Sequence, residues 1–313
     1  MLDRWFRTLR YAEYGLLYKY KYSCLSTGGT DEARYCYSVW MRHFINYYNT
    51  KKDIPHTIVE FGPGDTMGIG MTGLLCGAKE YFALDFARYD GIEKNDNIFN
   101  QLLNMVKNRC PIPDDEEFPN IFPKLESYEF PSWILTEEVL TECLSKPRID
   151  AIRMAIKEIK RGRESDIIHY LAPWNGIDTK KIEADFVYSQ AVFEHIDEYV
   201  DAHKIIGNML KKGAVVSHQI DFSCHGCADK WNGHYAYGRF VWKLVYGSRP
   251  YFLNRMPLKI HLIAMRNSNI RILKCVRTLR KDGINKNEVC RQFCWISEKD
   301  LKTVNAYILG IKK

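Results

Sequence analysis

The pattern of apolar residues predicts a chain in which strands and helices alternate. Short β-branched or aromatic runs predict buried strands at 57–61, up to Asp85, and at 167–171, 185–190, 215–221, 269–279 and 306–311. Helical spacing of apolar residues predicts helices at 1–24, 31–48, 68–78, 98–106, 136–144, 150–161, 198–210, 256–265 and 297–304. Strands that alternate with helices are typical of a parallel sheet covered on both faces, so the fold class is predicted to be α/β.

The spacing of these elements divides the chain. About eighty residues separate Asp85 from the next predicted strand, whereas a crossover between parallel strands needs about a dozen or more. We therefore predict N-terminal helices over 1–50, a core over 51–110 and 165–313, and an inserted helical cap over 111–164. The insertion is interpreted as a lid or substrate platform over the carboxyl edge of the sheet, or equally as a dimer contact.

A glycine loop joins the first two strands. Gly62-Pro63-Gly64-Asp65 follows the first strand, and Asp85 ends the second about twenty residues later. Glycines permit a sharp turn and a close approach of ligand to backbone, and an acid at the second strand end can accept both ribose hydroxyls. A dinucleotide or S-adenosylmethionine fits this pattern. Glu60 and Asp65 would repel a pyrophosphate, so they favour a ligand with an ammonium and a sulfonium group.

Several segments resemble class I S-adenosylmethionine-dependent methyltransferases, in particular bacterial members that act on small molecules or in polysaccharide pathways. The run from Glu60 to Asp65 resembles their motif I, with Thr66 in place of the third glycine, and Leu84-Asp85-Phe86 resembles motif II. The segment from Glu183 to Ile196, with its Val-x-Glu-His-Ile pattern, resembles the fourth strand and its loop. The resemblance implies a Rossmann-like, seven-stranded, mostly parallel sheet, with N-terminal helices that cover the cofactor.

The resemblance also implies a site for S-adenosyl-L-methionine. Glu60 or Asp65 would bind the amino group of the cofactor, and Asp85 would bind its ribose. The other cofactor-binding residues that it implies are Gly62, Pro63, Gly64, Phe86, Ala172, Pro173, Trp174, Ser189 and Gln190. Of these, Phe86 and the segment 172–174 would flank the adenine.

Histidines and acids follow the predicted fourth and fifth strands. Open α/β sheets bind ligands at the carboxyl ends of their strands, and the residues there include His195, His218, Asp221 and His225. Methyl transfer to a hydroxyl needs a base close to the acceptor, and histidine is a base near neutral pH. We predict these four residues to be catalytic, with Glu194 as an alternative, orienting partner.

No metal site is predicted. Cys224-x-x-Cys227 and the pair Cys290 and Cys294 lack partner pairs at the spacing of a zinc site. The ten cysteines are scattered, which is typical of a reducing compartment. The chain has no apolar run long enough to span a membrane and no signal-peptide pattern, so a cytoplasmic protein is predicted.

The activity implied is O-methylation of a small polar acceptor, with a sugar, nucleotide-sugar or surface-polysaccharide unit favoured. The aromatic residues of 227–254 are typical of a sugar-binding surface or of a protein interface. The alternatives are a methyltransferase of a quinone, lipid or secondary-metabolite precursor, and an inactive cofactor-binding scaffold subunit.

The net charge of +7 is dispersed, and without a basic tract no nucleic-acid partner is predicted. The basic aromatic segment 1–24 is interpreted as a helix packed across the domain or as a peripheral membrane contact. The oligomeric state is left open.

Overall fold

The computed structural model describes residues 2–21, 29–88, 93–174 and 178–313, without the side chains of residues 2–7, 18–21 and 178. Within this part of the chain the strands are β1 Thr57–Phe61, β2 Glu80–Leu84, β3 Ile168–Leu171, β4 Ala184–Gln190, β5 Leu210–Asp221, β6 Ile270–Leu279 and β7 Thr303–Lys312. They form one sheet of order β3-β2-β1-β4-β5-β7-β6. β1 pairs in parallel with β2 and β4, and β2 pairs in parallel with β3. The predicted seven-stranded, mostly parallel Rossmann-like sheet is confirmed.

Helices flank the sheet. In the described residues they are α1 Leu2–Lys21, α2 Ala33–Lys51, α3 Gly68–Leu75, α4 Asn95–Lys107, α5 Glu137–Cys143, α6 Lys146–Lys160, α7 Tyr199–Met209, α8 Arg239–Tyr246, α9 Leu258–Asn267 and α10 Glu298–Leu301. The sequence pattern did not predict α8, because its valines and aromatic residues favour strands. None of the described helices is both long and apolar enough to cross a membrane.

The chain forms two compact units. Unit 1 comprises Met1–Leu25, Ala191–Lys204 and Gln219–Ile308, and unit 2 comprises Ser26–Gln190, Ile205–His218 and Leu309–Lys313. The helices α1 and α2, which we predicted as one N-terminal group, therefore belong to different units. The basic side chains at both ends of α1, which belong to the predicted basic aromatic segment 1–24, lie outside the described residues.

Close packing in unit 2 presses α3 against β2. A Cβ atom on Gly70 would lie 2.1 Å from the ring of Tyr81, which is fully buried. Real Cβ atoms do not approach other heavy atoms so closely, so only glycine fits at this position. α3 follows directly from the glycine loop, and this packing therefore determines where the loop lies relative to β2.

The inserted segment packs against the body of unit 2. Isoleucines at helical spacing line the buried face of α6, which contacts β3: Ile149, Ile152, Ile156 and Ile159. Glu142 of α5 pairs with Lys79 at 2.6 Å, and Arg148 of α6 binds the backbone carbonyl of Ala78. Residues 78 and 79 precede β2, so these contacts lie at the amino end of that strand. The interpretation of the insertion as a lid, a substrate platform or a dimer contact stays a prediction.

The aromatic segment 227–254 of unit 1 is partly internal and partly accessible. Tyr235 and Tyr237 are 1% and 8% exposed. The guanidinium of the buried Arg255 lies 4.3 Å from the ring centre of Trp242 and 4.7 Å from that of Phe293. Trp231 and Phe252 are also buried, whereas Phe240 is 75% exposed and Trp242, Tyr246 and Tyr251 are half-buried, so part of the aromatic surface remains accessible.

The contact of Gly70 with Tyr81 generates a stability prediction. Gly70→Ala should destabilise the fold by about 1–3 kcal/mol, because overpacking forces a buried ring out of position. Gly238→Ala is the matched control, since a Cβ there meets no atom within 4 Å. Urea unfolding monitored by circular dichroism would measure both variants. Equal stability of Gly70→Ala and the wild type would contradict the packing described.

Candidate functional site

The glycine loop after β1 closes on the acid that follows β2. Gly62 and Gly64 have φ angles of +69° and +72°, a region that favours glycine. The Gly64 N–H donates to Asp85 Oδ2 at 3.1 Å, and the Phe86 N–H donates to Asp85 Oδ1 at 2.7 Å. Burial raises the pKa of Asp85 to about 7, although these backbone N–H groups oppose the shift. The structure therefore brings together the loop and the acid that the sequence singled out.

Glu60 has partners inside unit 2. It is 2% exposed, and its Oε2 accepts hydrogen bonds from the hydroxyls of Tyr81 at 2.6 Å and Tyr188 at 3.2 Å. Burial raises the pKa of Glu60 to about 8 despite these bonds, so the carboxyl is largely neutral near pH 7. Of the two acids predicted for the cofactor amino group, the structure favours Asp65, which belongs to the loop itself.

The residues predicted to flank an adenine lie around Asp85. Phe86 follows Asp85 directly, and its side chain is 52% exposed. The Trp174 N–H donates to the backbone carbonyl of Asp85 at 3.0 Å, and the Trp174 ring meets Phe61 edge-on at 5.2 Å. Ala172 and Pro173 complete this loop after β3. Exposed aromatic surface next to Asp85 suits a flat base.

The two polar residues at the end of β4 are bonded to histidines of unit 2. Ser189 Oγ lies 2.8 Å from His218 Nδ1, and both residues are fully buried. Gln190 Oε1 lies 3.0 Å from Nε2 of His43. His218, which was predicted to be catalytic, thus lies inside unit 2 beside Ser189, and its catalytic role stays a prediction.

Sequence reasoning missed His43. It lies on α2, three residues after the buried Trp40, so the helical pattern places it on the core face. Its Nδ1 lies 2.7 Å from Ser217 Oγ, and burial lowers its pKa to about 4, so the imidazole is neutral near pH 7. A histidine at a core position was the only signal for this network in the sequence.

The other three predicted catalytic residues meet in unit 1. The rings of His195 and His225 are 5.1 Å apart, and His225 Nε2 lies 3.3 Å from Asp221 Oδ2. One potential ligand atom each from Glu194, His195 and His225 lies within 4.8 Å of the other two. We call Glu194, His195, Asp221 and His225 the histidine–carboxylate cluster.

Burial and charge separate the members of the cluster. Burial, with the charge of His225, lowers the pKa of His195 to about 4. Burial is the largest single influence on His225 and disfavours its charged form, but the bond to Asp221 together with the negative charges of Glu194, Asp221 and Cys224 raises its pKa. Likewise the pKa of Asp221 is lowered by His225 in spite of burial. Burial and the charge of Asp221 raise the pKa of Glu194 to about 8.

Asn254 holds the turn that carries Glu194 and His195. Its side-chain Nδ2 donates to the backbone carbonyls of Phe193 at 2.7 Å and Ile196 at 2.8 Å. Its backbone N–H donates to the Glu194 carbonyl at 2.8 Å. Three bonds to one short turn limit how far that turn can move. An isolated asparagine within an aromatic segment gave no sequence signal for this role.

Cys224 and Cys227 lie close to the cluster in sequence but are packed in an apolar environment. They are 4% and 3% exposed, and they contact Tyr237, Val245 and Phe252. A hydrogen bond from Cys227 lowers the pKa of Cys224 to about 6, against the effect of burial. The two free thiols thus form a hydrogen-bonded pair inside unit 1.

Comparison with known proteins gives no family. No protein-family model matches the chain, and no curated protein matches it. Solved structures similar to the chain include S-adenosylmethionine-dependent methyltransferases from Mesorhizobium loti and Clostridium acetobutylicum, at 11% and 10% identity, both with a TM-score of 0.41. The matches cover 91% and 88% of this chain and 100% and 91% of theirs. A third is the [4+2]-cyclase SpnF, at 10% identity and a TM-score of 0.42, covering 90% of this chain and 80% of that one. Likeness at this level does not define an activity.

The burial of Glu60 generates a prediction of stability against pH. Its pKa is about 8 in the folded chain against 4.5 as the ordinary value, so the folded state holds the proton more tightly. Stability should therefore fall as pH rises from 5 to 8, by about 3 kcal/mol from this carboxyl alone. Glu60→Gln should lack that part of the fall, which urea unfolding at several pH values would measure.

Glu80→Gln is the control, because Glu80 lies on the neighbouring strand with a side chain that is 37% exposed. It should follow the wild-type pH profile. A wild type and a Glu60→Gln variant with parallel profiles would show that Glu60 is not the buried proton-binding group.

Proposed function

We propose that the chain is an S-adenosyl-L-methionine-dependent methyltransferase. The observation that carries the proposal is the hydrogen bond between the Gly64 N–H and the Asp85 carboxylate, next to adjacent parallel strands. An acid in contact with a glycine turn, at the carboxyl ends of adjacent parallel strands, suits the hydroxyls of a ribose. Under this proposal Asp85 binds the ribose hydroxyls, Asp65 binds the amino group, and Phe86 with Trp174 contacts the adenine.

The charges at the loop support this cofactor over a dinucleotide. Asp65 belongs to the glycine loop and Asp85 is bonded to it, so negative charge develops there as Asp85 ionises. A pyrophosphate would meet repulsion from these carboxylates, whereas an ammonium and a sulfonium would be attracted. The loop therefore favours a cationic ligand.

We further propose that the acceptor is a hydroxyl of a small polar molecule, with sugars and nucleotide sugars as the first class to test. The acceptor oxygen would attack the methyl carbon in line with the sulfur–carbon bond. An oxygen–carbon bond forms, the sulfur–carbon bond breaks with its electron pair on sulfur, and the hydroxyl proton passes to the histidine–carboxylate cluster. The two imidazoles and two carboxylates of that cluster support this role.

The cofactor assignment predicts a specific loss of binding. Calorimetric titration of S-adenosylhomocysteine at pH 8 should show one site, and Asp85→Asn should weaken it by about 10- to 100-fold, because two charge-assisted hydrogen bonds are lost. Wild-type affinity should fall about tenfold per pH unit below 7, since only ionised Asp85 accepts both hydroxyls. Asp85→Asn should lack this pH dependence.

Asp185→Asn is the matched control for that titration. Asp185 also accepts two backbone N–H groups, from His56 at 3.1 Å and Thr57 at 2.9 Å, but at the start of β4. It should bind S-adenosylhomocysteine like the wild type. Equal loss in both variants would indicate general damage to the fold, and binding of a nicotinamide dinucleotide instead would overturn the cofactor assignment.

The acceptor assignment predicts turnover that depends on the cluster. With S-adenosylmethionine and a panel of sugars and nucleotide sugars, release of S-adenosylhomocysteine should be detected by mass spectrometry. His195→Ala and His225→Ala should each lower kcat by about 100-fold or more while sparing cofactor binding. His169→Asn, which removes a half-buried imidazole paired with Glu80, is the control. Cofactor binding without turnover on any acceptor would favour the scaffold alternative.

A further inference from the structure

Glu194 carries a buried carboxyl group that is poorly compensated by hydrogen bonds. The residue is 3% exposed, and neither of its oxygens has a partner at good hydrogen-bond geometry among the described residues, although the backbone N–H groups of Glu194 and Asp221 lie near enough to favour its charged form. Removing a carboxylate from water without compensation is costly, and proteins compensate it with hydrogen bonds, an opposite charge or a metal ion. A group that binds the oxygens of Glu194 is therefore expected.

Two imidazoles face the same point. The Nδ1 atom of His195 is buried and also has no hydrogen-bond partner in the described chain. His225 uses its Nε2 for Asp221, which leaves Nδ1 as a donor atom for a ligand. One ligand atom from each of Glu194, His195 and His225 lies within 4.8 Å of the other two.

We propose that Glu194, His195 and His225 bind one divalent transition-metal ion. Atoms at about 2.1 Å from one ion lie about 3.4 Å apart in a tetrahedron, so binding draws these side chains slightly together. Two imidazoles and one carboxylate form a ligand set typical of zinc, iron, cobalt and manganese, whereas magnesium and calcium prefer oxygen alone. Three protein ligands leave a coordination position open.

The surroundings of the three ligands match those of a metal site. Metal-binding histidines commonly donate their second ring nitrogen to a carboxylate, which orients the ring. Asp221 stands in that relation to His225, with Oδ2 3.3 Å from Nε2. Asn254 binds the backbone on both sides of Glu194 and His195 and so positions two of the ligands through one turn.

The neighbouring cysteines are the competing ligands. Thiolates bind zinc and cobalt strongly, and Cys224 immediately precedes His225. The two thiols are hydrogen-bonded to each other within an apolar cluster, however. In the described part of the chain, the group of ligand atoms close enough to share an ion comes from Glu194, His195 and His225 and includes neither thiol. The geometry therefore favours the carboxylate and imidazoles.

A bound ion would take part in the proposed methyl transfer, and this consequence, unlike metal binding itself, rests on the proposed function. The acceptor oxygen would occupy the open position, where the ion lowers the pKa of the hydroxyl. With the ion bound, His195 and His225 are ligands rather than bases, so the hydroxyl proton passes to water instead of to the cluster. The oxygen–methyl bond forms, and the sulfur–methyl bond breaks with its electron pair on sulfur.

The test uses the untagged full chain after treatment with a chelator. Titration with Co²⁺ should give one bound ion per chain, with visible absorption bands typical of low coordination and no near-ultraviolet thiolate band. Glu194→Gln and His225→Ala should each weaken binding by about 100-fold, and Asp221→Asn by about tenfold, since it only orients a ligand. His169→Asn should bind like the wild type, because it removes a carboxylate-paired imidazole elsewhere.

Each contrary result has a distinct meaning. A thiolate band that disappears in Cys224→Ser would assign the ion to the cysteine pair and overturn the proposal. Stoichiometric binding that survives both Glu194→Gln and His225→Ala would do the same, as would a folded wild type that binds neither Co²⁺ nor Zn²⁺. Titration of each preparation with S-adenosylhomocysteine separates a failure of this proposal from a failure of the proposed function.

Discussion

The parallel register of β1 and β2 determines the geometry at the carboxyl edge of unit 2. Phe61 pairs with Leu84, so the next residues of the two strands, Gly62 and Asp85, leave the sheet side by side. The Gly62 N–H donates to the Leu84 carbonyl at 2.8 Å, and the Gly64 N–H then reaches the carboxylate. A shift of the register would separate the loop from the acid. The candidate cofactor site therefore depends on strand pairing that extends through the whole core.

Two buried glutamates show different ways of keeping a carboxyl group inside the protein. Glu60 receives hydrogen bonds from two tyrosine hydroxyls on neighbouring strands, and its proton is retained by burial. Glu194 has no such donors among the described residues and instead lies beside two imidazoles. The first arrangement is complete within the chain. The second lacks such donors, which is why we infer that a metal ion completes it.

Two pairs of histidines differ in the groups that surround them. His43 and His218 are fully buried and bonded to serine hydroxyls, so they connect α2, β4 and β5 within unit 2. His195 follows the end of β4, and His225 follows the end of β5. The Asp221 carboxylate lies beside His225, and the Glu194 carboxyl group lies near both imidazoles. Similar side chains thus have serine hydroxyls as partners in one place and carboxyl groups in another, and only the second group carries our metal proposal. The difference comes from their partners and from access to a ligand.

Local pattern was enough to predict the strands, most helices, the glycine loop and Asp85, because apolar periodicity and glycine turns act over a few residues. It did not predict α8, whose strand-favouring residues form a helix against α1. The sequence also determined that His195, Asp221 and His225 follow strand ends. Three contacts could be seen only in the tertiary structure. Glu60 accepts hydrogen bonds from two tyrosine hydroxyls, and His43 is hydrogen-bonded to Ser217, which is 174 residues away in sequence. Asn254 donates hydrogen bonds to the backbone of the turn that carries Glu194. Hydrogen bonds between residues so far apart in sequence leave no periodic signal, because their geometry exists only once the sheet has formed.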